Sequence, residues 1–174
     1  MDNNIYSIDA WQPFTTYFKN KILSNNGLYY YVAFDNYTSA STITSDINNG
    51  YLNGYIYHMG QNKPYFTWRP NFNFSNENQP RVKKIQFGDG YFQVVPDGVN
   101  NLLLNYEFEF QAIEIHEATA ILHFLTTRNG TESFCFLPPA PRGQISRFLC
   151  SKWTDIQTFW NNYTIKATFT QTPV

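Results

Sequence analysis

The sequence predicts a mainly β protein: a β-sandwich or split barrel with one flanking α-helix, preceded by a small aromatic-rich β module. Three observations carry this expectation. Aromatic residues make up 19 % of the 174 residues, with 16 Phe and 13 Tyr, and such side chains suit a pleated, half-buried surface. Several runs alternate apolar with polar residues, which is the period of a strand with one buried face. One stretch alone has the spacing of an amphipathic helix. A single helix cannot cover both faces of a large sheet, so it belongs on a flank.

The elements divide into two parts near residues 58–64, giving an expected module at 1–60 and a second domain at 61–174. In the first part, Gly27 to Phe34 and Leu52 to His58 read as strands, with Gly50 and Gly54 as turns. Gly60-Gln61-Asn62-Lys63-Pro64 reads as a linker or inter-strand turn. In the second part, Val82 to Phe87 is a strand closed by Gly88, Asp89 and Gly90, because Asp-Gly supplies the positive φ angles of a tight hairpin. Leu104, Tyr106, Phe108 and Phe110 alternate with Asn105, Glu107 and Glu109. From His116 to Arg128, the residues Ala118, Ile121, Leu122 and Leu125 form one apolar stripe, and Asn129-Gly130 follows as a helix end. Ser133 to Leu137, Phe148 to Trp153 and the alternating run from Tyr163 to Thr170 complete the strands.

Composition narrows the function classes. Charged residues are only 14 % and the formal net charge is −1, so no global field steers the chain onto nucleic acid or an acidic membrane. A surface poor in charge is easier to bury against a partner. No apolar run reaches the length of a membrane span. Met1-Asp2-Asn3-Asn4 lacks the start of a signal peptide, so assembly in a cytoplasm is expected. Cys135 and Cys150 are then expected as free, buried thiols.

No catalytic constellation stands out, and neither a metal nor a cofactor is expected. His58, His116 and His123 lie outside any nucleophile motif. His116 and His123 are seven residues apart, too far for a chelating pair on a helix, and read as exposed or interface histidines. Glu107 and Glu109 share a strand face and read as solvated. Asp89 and Asp97 precede glycines and read as turn formers. Arg81, Lys83 and Lys84, with Arg69 nearby, read as a polar face or a subunit contact. Trp11, Tyr17, Tyr29 and Tyr31 admit two readings: a platform for sugar rings, or the core of a module too small to fold without large side chains.

The second part also resembles the phage minor tail protein M family of lambda-like phages. The resemblance rests on Trp68-Arg69-Pro70, the run from Pro80 to Gln93, Asp97-Gly98, Asn100-Asn101, Glu117-Ala118, Phe124-Leu125, Phe134 to Pro139, Cys150 to Trp153 and Tyr163 to Gln171. It implies a fold related to tail-tube and distal-tail proteins. It further implies a homo-oligomeric ring of six subunits at the distal end of the tail tube, joining the tube to the tip or baseplate hub, with a lumen for DNA. Residues 1 to about 60 lie outside the family pattern, and Gln93-Val94 stands where relatives carry Gln-Arg. The first part is faintly similar to small carbohydrate-binding modules through Trp11, Tyr17, Gly27, Tyr29, Ala33 and Thr38-Ser39, which implies host-glycan binding during adsorption as the alternative function. As an addition to a complete ring domain, residues 1–60 are expected to project from the ring and to be dispensable for closing it.

Overall fold

A computed structural model describes residues 7–71 and 74–173; Met1 to Asn4, read above for a leader, lie outside the described residues. The chain is mainly β with a flanking helix. Its first part contains β1 (Ile8–Ala10), β2 (Thr16–Tyr17), β3 (Ile22–Asn25), β4 (Leu28–Val32), β5 (Tyr37–Thr38), α1 (Ile43–Asn48) and β6 (Leu52–Asn53). Four of these form a sheet of order β1-β3-β4-β6, and β2 pairs with β5. Asn26 and Gly27 adopt φ 50° and 76°, the two left-handed residues that a tight hairpin between β3 and β4 requires. Gly54 is not a turn, contrary to expectation. A Cβ there would lie 2.8 Å from the Tyr30 ring and 3.0 Å from the Tyr29 carbonyl, so glycine permits a close backbone approach. Helix α1 also departs from the one-helix expectation; its six residues are too few to show a 3.6-residue period.

The rest of the chain supplies β7 (Tyr55–His58), β8 (Gln61–Phe66), β9 (Ser75–Asn78), β10 (Val82–Gln86), β11 (Phe92–Pro96), β12 (Leu104–Ile113), α2 (Ile115–Arg128), β13 (Phe134–Phe136), β14 (Ser146–Phe159) and β15 (Asn162–Gln171). Seven of these strands form one mixed sheet of order β7-β8-β13-β14-β15-β12-β9. Its inner face is a phenylalanine core. The Phe169 ring centroid lies 5.0 Å from Phe134, 5.2 Å from Phe66 and 5.3 Å from Phe108. Helix α2 packs on this face through Ala118, Ile121 and Leu125 of the expected stripe, and through Phe124, which is buried where Leu122 is only partly so. It ends at Asn129, whose φ of 48° is the left-handed C-terminal geometry that favours Gly or Asn. Strand β14 runs six residues beyond Trp153 to Phe159. A bulge between Cys150 and Lys152 shifts its inward phase by one residue, so simple alternation fails there.

The first part packs against the second flank of α2. Ile22 and Tyr31 belong to the main core, whereas Leu23, Tyr30 and Val32 face a smaller core with Tyr17, Tyr37 and Leu52. The alternation of β3 and β4 thus serves two cores at once. His123, expected to be exposed or at an interface between subunits, is buried at 4 % exposure. It sits edge-on to Tyr29 at 4.8 Å, and its Nδ1 is 3.0 Å from the Tyr31 hydroxyl. The Trp68 indole N–H donates to Asn20 Oδ1 at 3.2 Å, tying the two parts at a further point. The reading of residues 1–60 as dispensable is therefore revised: Ile22 and Tyr31 fill the main core.

Burial, and then the Arg128 guanidinium, lower the His123 pKa to about 4. Folding thus favours the neutral ring. Above the unfolded pKa of about 6.5 the ring is neutral in both states and contributes no pH slope. As pH falls from about 6.5 to about 4, the unfolded chain takes up a proton that the folded chain refuses. Up to about 3 kcal/mol of stability is expected to vanish across this window. Urea unfolding from pH 7 to pH 4.5 checks this. His123→Gln should flatten the slope, and an unchanged slope would refute the assignment.

Candidate assembly surface

The four residues considered as a sugar platform do not share an open face. Tyr31 is 1 % exposed. Tyr17 is buried with its ring stacked on Tyr37. The Trp11 indole N–H donates to Asp46 Oδ2 at 3.1 Å, and Asp46 is itself buried. Tyr29 is half-buried against His123. Tyr17 and Tyr31 are core residues because a small aromatic module must bury its rings to fold. Burial, followed by the nearby Asp46 carboxylate, also pushes the Tyr37 phenol above its ordinary pKa.

The acidic and thiol groups have equally plain surroundings. Glu109 pairs with Lys166 at 3.2 Å; a Gln111 hydrogen bond and this lysine hold its carboxyl below the usual range. Cys135 and Cys150 are buried free thiols, and desolvation raises both pKa values. Among the described residues no group of three or more His, Cys, Asp or Glu could hold a metal ion, and no helix is long and apolar enough to cross a membrane.

What the fold does present is an unsupported arm. Strands β9 and β12 are antiparallel neighbours in the large sheet, and the chain between them leaves the sheet to form the β10–β11 hairpin. That hairpin is a two-stranded sheet of its own. Its register pairs Val82 with Pro96, Lys84 with Val94 and Gln86 with Phe92. Val82, Val94 and Phe92 therefore share one face, and Ile85, Val95, Phe87 and Tyr91 the other. Almost every residue from 79 to 100 is exposed, Tyr91 by 70 %. An isolated two-stranded ribbon is at best marginally stable in water, and this one carries apolar side chains on both faces. Its strands hold Lys83 and Lys84, with Arg81 at the base. Lys84 lies over the Phe92 ring at 3.8 Å. Among the described residues none of the three cations has a carboxylate within ion-pair distance.

The tip of the hairpin is built by Gly88, Asp89 and Gly90. Asp89 and Gly90 have φ 62° and 79°, and the Phe87 N–H donates to the Tyr91 carbonyl at 2.7 Å. A Cβ on Gly90 would meet nothing within 4 Å, so substitution is opposed by backbone conformation rather than by space. Gly90→Val is expected to strain the tip by roughly 1–2 kcal/mol without touching the core. Thermal unfolding should shift little, while self-association weakens. A variant that associates like the parent would show that the tip geometry is not needed.

A second exposed apolar region lies at the other end of the sheet. Strand β12 has ten residues, about 30 Å of chain, with the hairpin at its Leu104 end. Past its Ile113 end, the turn joining β14 to β15 exposes Phe159 and Trp160, the latter by 86 %. Asn161 Oδ1 accepts from the Ile115 N–H at 3.0 Å, docking this tip onto the start of α2. Phe18, half-exposed, packs tilted against His116 with ring centroids 4.6 Å apart. A cleft beside this pair is lined by Asp35, Glu114 and Glu117, with Lys19 the one lysine or arginine in its wall. Desolvation raises the Glu117 pKa.

The chain is similar in sequence to known phage tail proteins. The sequence pattern of the family described as phage minor tail protein matches residues 64–172, a span that contains the hairpin, α2 and the large sheet apart from β7 and the first half of β8. Tail tip protein M of Escherichia phage lambda is 35 % identical over 89 residues, covering 51 % of this chain and 80 % of that protein. Tail tip protein M of Escherichia phage N15 is 43 % identical over 58 residues, covering 33 % of this chain and 49 % of that protein. A solved structure of the tail of an empty GTA particle aligns with a TM-score of 0.40 at 6 % identity, over 59 % of this chain and 75 % of that one.

Proposed function

The chain belongs to the phage minor tail protein family, and from that premise we propose that it is a ring subunit at the distal end of the tail tube. It is a structural component of a phage tail. In this reading six copies close a homo-oligomeric ring between the tail-tube protein and the tip or baseplate hub, and DNA passes through the lumen without sequence-specific contact. The chain acts by assembly rather than by catalysis. Residues 61–174 form the ring domain and residues 1–60 an added module.

One observation carries the reading: the segment that matches the family contains a hairpin with apolar residues exposed on both faces. Such a ribbon needs a protein surface to lie on, and a ring supplies one to every subunit. The glycan-binding alternative would require a surface other than Trp11, Tyr17, Tyr29 and Tyr31, since these rings are committed to packing and hydrogen bonds. The test is imaging of purified tails, together with sedimentation of the isolated protein over a range of concentrations. A closed ring at the distal end of the tube is expected. A chain that stays monomeric at every concentration and is missing from tails would overturn the reading.

A further inference from the structure

We propose that the β10–β11 hairpin of one copy seats on the opposite end of a second copy, at the cleft lined by Phe18, Asp35, Glu114 and Glu117. This deepens the ring reading and rests on it. Closed cyclic assembly by head-to-tail contact needs two different, complementary surfaces on each protomer. The fold provides them at the two ends of β12. At one end a ribbon presents apolar residues with three cations that pair with no carboxylate among the described residues. At the other, the exposed Phe18 ring borders a cleft where three carboxylates face a single lysine.

Charge sorts this contact from its rival. Pairing two hairpins through β10 would bring Lys83 and Lys84 of both copies together, and like charges opposed across a strand pair are destabilising. Seating the hairpin at the other end opposes cations to carboxylates instead, which favours encounter and register. Phe18, Lys19 and Asp35 lie outside the family-matched segment. In this chain the added module thus forms part of the wall that receives the neighbouring subunit, and an interface between copies contains residues that the shared family segment does not supply.

The test uses the full chain and two charge-reversal variants. Lys83→Glu with Lys84→Glu reverses the hairpin; Glu114→Lys with Glu117→Lys reverses the cleft. All four side chains are at least partly exposed, so unfolding midpoints should stay near that of the parent. The milder pairs Lys83→Gln with Lys84→Gln, and Glu114→Gln with Glu117→Gln, serve should a reversal fail to fold. Self-association, read by sedimentation at low salt, is expected to weaken at least tenfold for each reversed variant alone. An equimolar mixture of the two reversed variants should associate again, because each reversed hairpin meets a reversed cleft and each parental hairpin a parental cleft. If the parent associates but the variants match it, or the mixture shows no rescue, this contact is wrong and the ring reading stands. A parent that never associates removes both.

Discussion

A chain beginning at Lys63 is expected to lose cooperative folding. The deletion removes β1 to β7, and with them Ile22 and Tyr31 from the main core. Trp68 and Phe124 each lose an aromatic neighbour, since Tyr31 lies 5.0 Å from the Trp68 ring and 6.0 Å from that of Phe124. Strand β8 loses its β7 partner at one edge of the sheet. Removing two such buried side chains costs about 5 kcal/mol or more, comparable to the whole stability of a small domain. The truncated chain is expected to melt without a sharp transition and to bind more of a hydrophobic dye than the full chain. A truncated chain that unfolds cooperatively, with a midpoint near the parent's, would show the added module to be separable after all. The family segment starts at residue 64, so Ile22 and Tyr31, which help fill the main core, lie outside it.

Phe169→Ala should have the largest effect of any single substitution. Phe169 is fully buried on β15, and its ring meets Phe66, Phe108, Phe134 and Phe136 within 5.5 Å. Truncation leaves a cavity walled by rings held on three different strands, β8, β12 and β13, which cannot collapse around it. A loss of about 3–5 kcal/mol is expected, read as a lower urea midpoint with an unchanged slope. A loss under about 1 kcal/mol would mean that the core repacks freely. A fall in the denaturant slope would instead report a loosened native state. Because Phe169 is buried in the core whereas the hairpin residues are exposed, the residual folded protein should still associate, which separates this effect from that of Gly90→Val.

The two kinds of surface on this molecule have different energetic roles. The phenylalanine core sets whether the domain exists. The hairpin and the far apolar end barely touch that core, so changes there act on assembly. Exposed apolar residues tax a monomer through solubility and aggregation. Their retention on a ribbon and at the tip of β14 is intelligible once each is covered by another chain.

Local pattern in the sequence determined β10, β12, β13, β15 and the first half of β14, the helix ending at Arg128 and the Asp89-Gly90 hairpin. In these places the side-chain period and the turn chemistry point the same way. The family, too, was legible there, in the ordered motifs from Trp68 to Gln171. Local pattern did not determine β9, and Gln61 to Pro64, expected as a linker or inter-strand turn, are paired in β8 instead. The hairpin between β3 and β4 had a local signal, Asn26-Gly27, that a reading starting the strand at Gly27 passed over. Tertiary structure alone decided the rest. Tyr31 looks the same in sequence whether it stacks on a sugar or fills a core, and its contact with His123 spans 92 residues. The bulge after Cys150 hid the long β14 because a one-residue shift reverses every later side chain. The pairing of the hairpin with a distant acidic end, about 30 Å along β12, depends on where the sheet places its two ends. No local period records such a separation, because burial and long-range placement are properties of the packed chain rather than of any window along it.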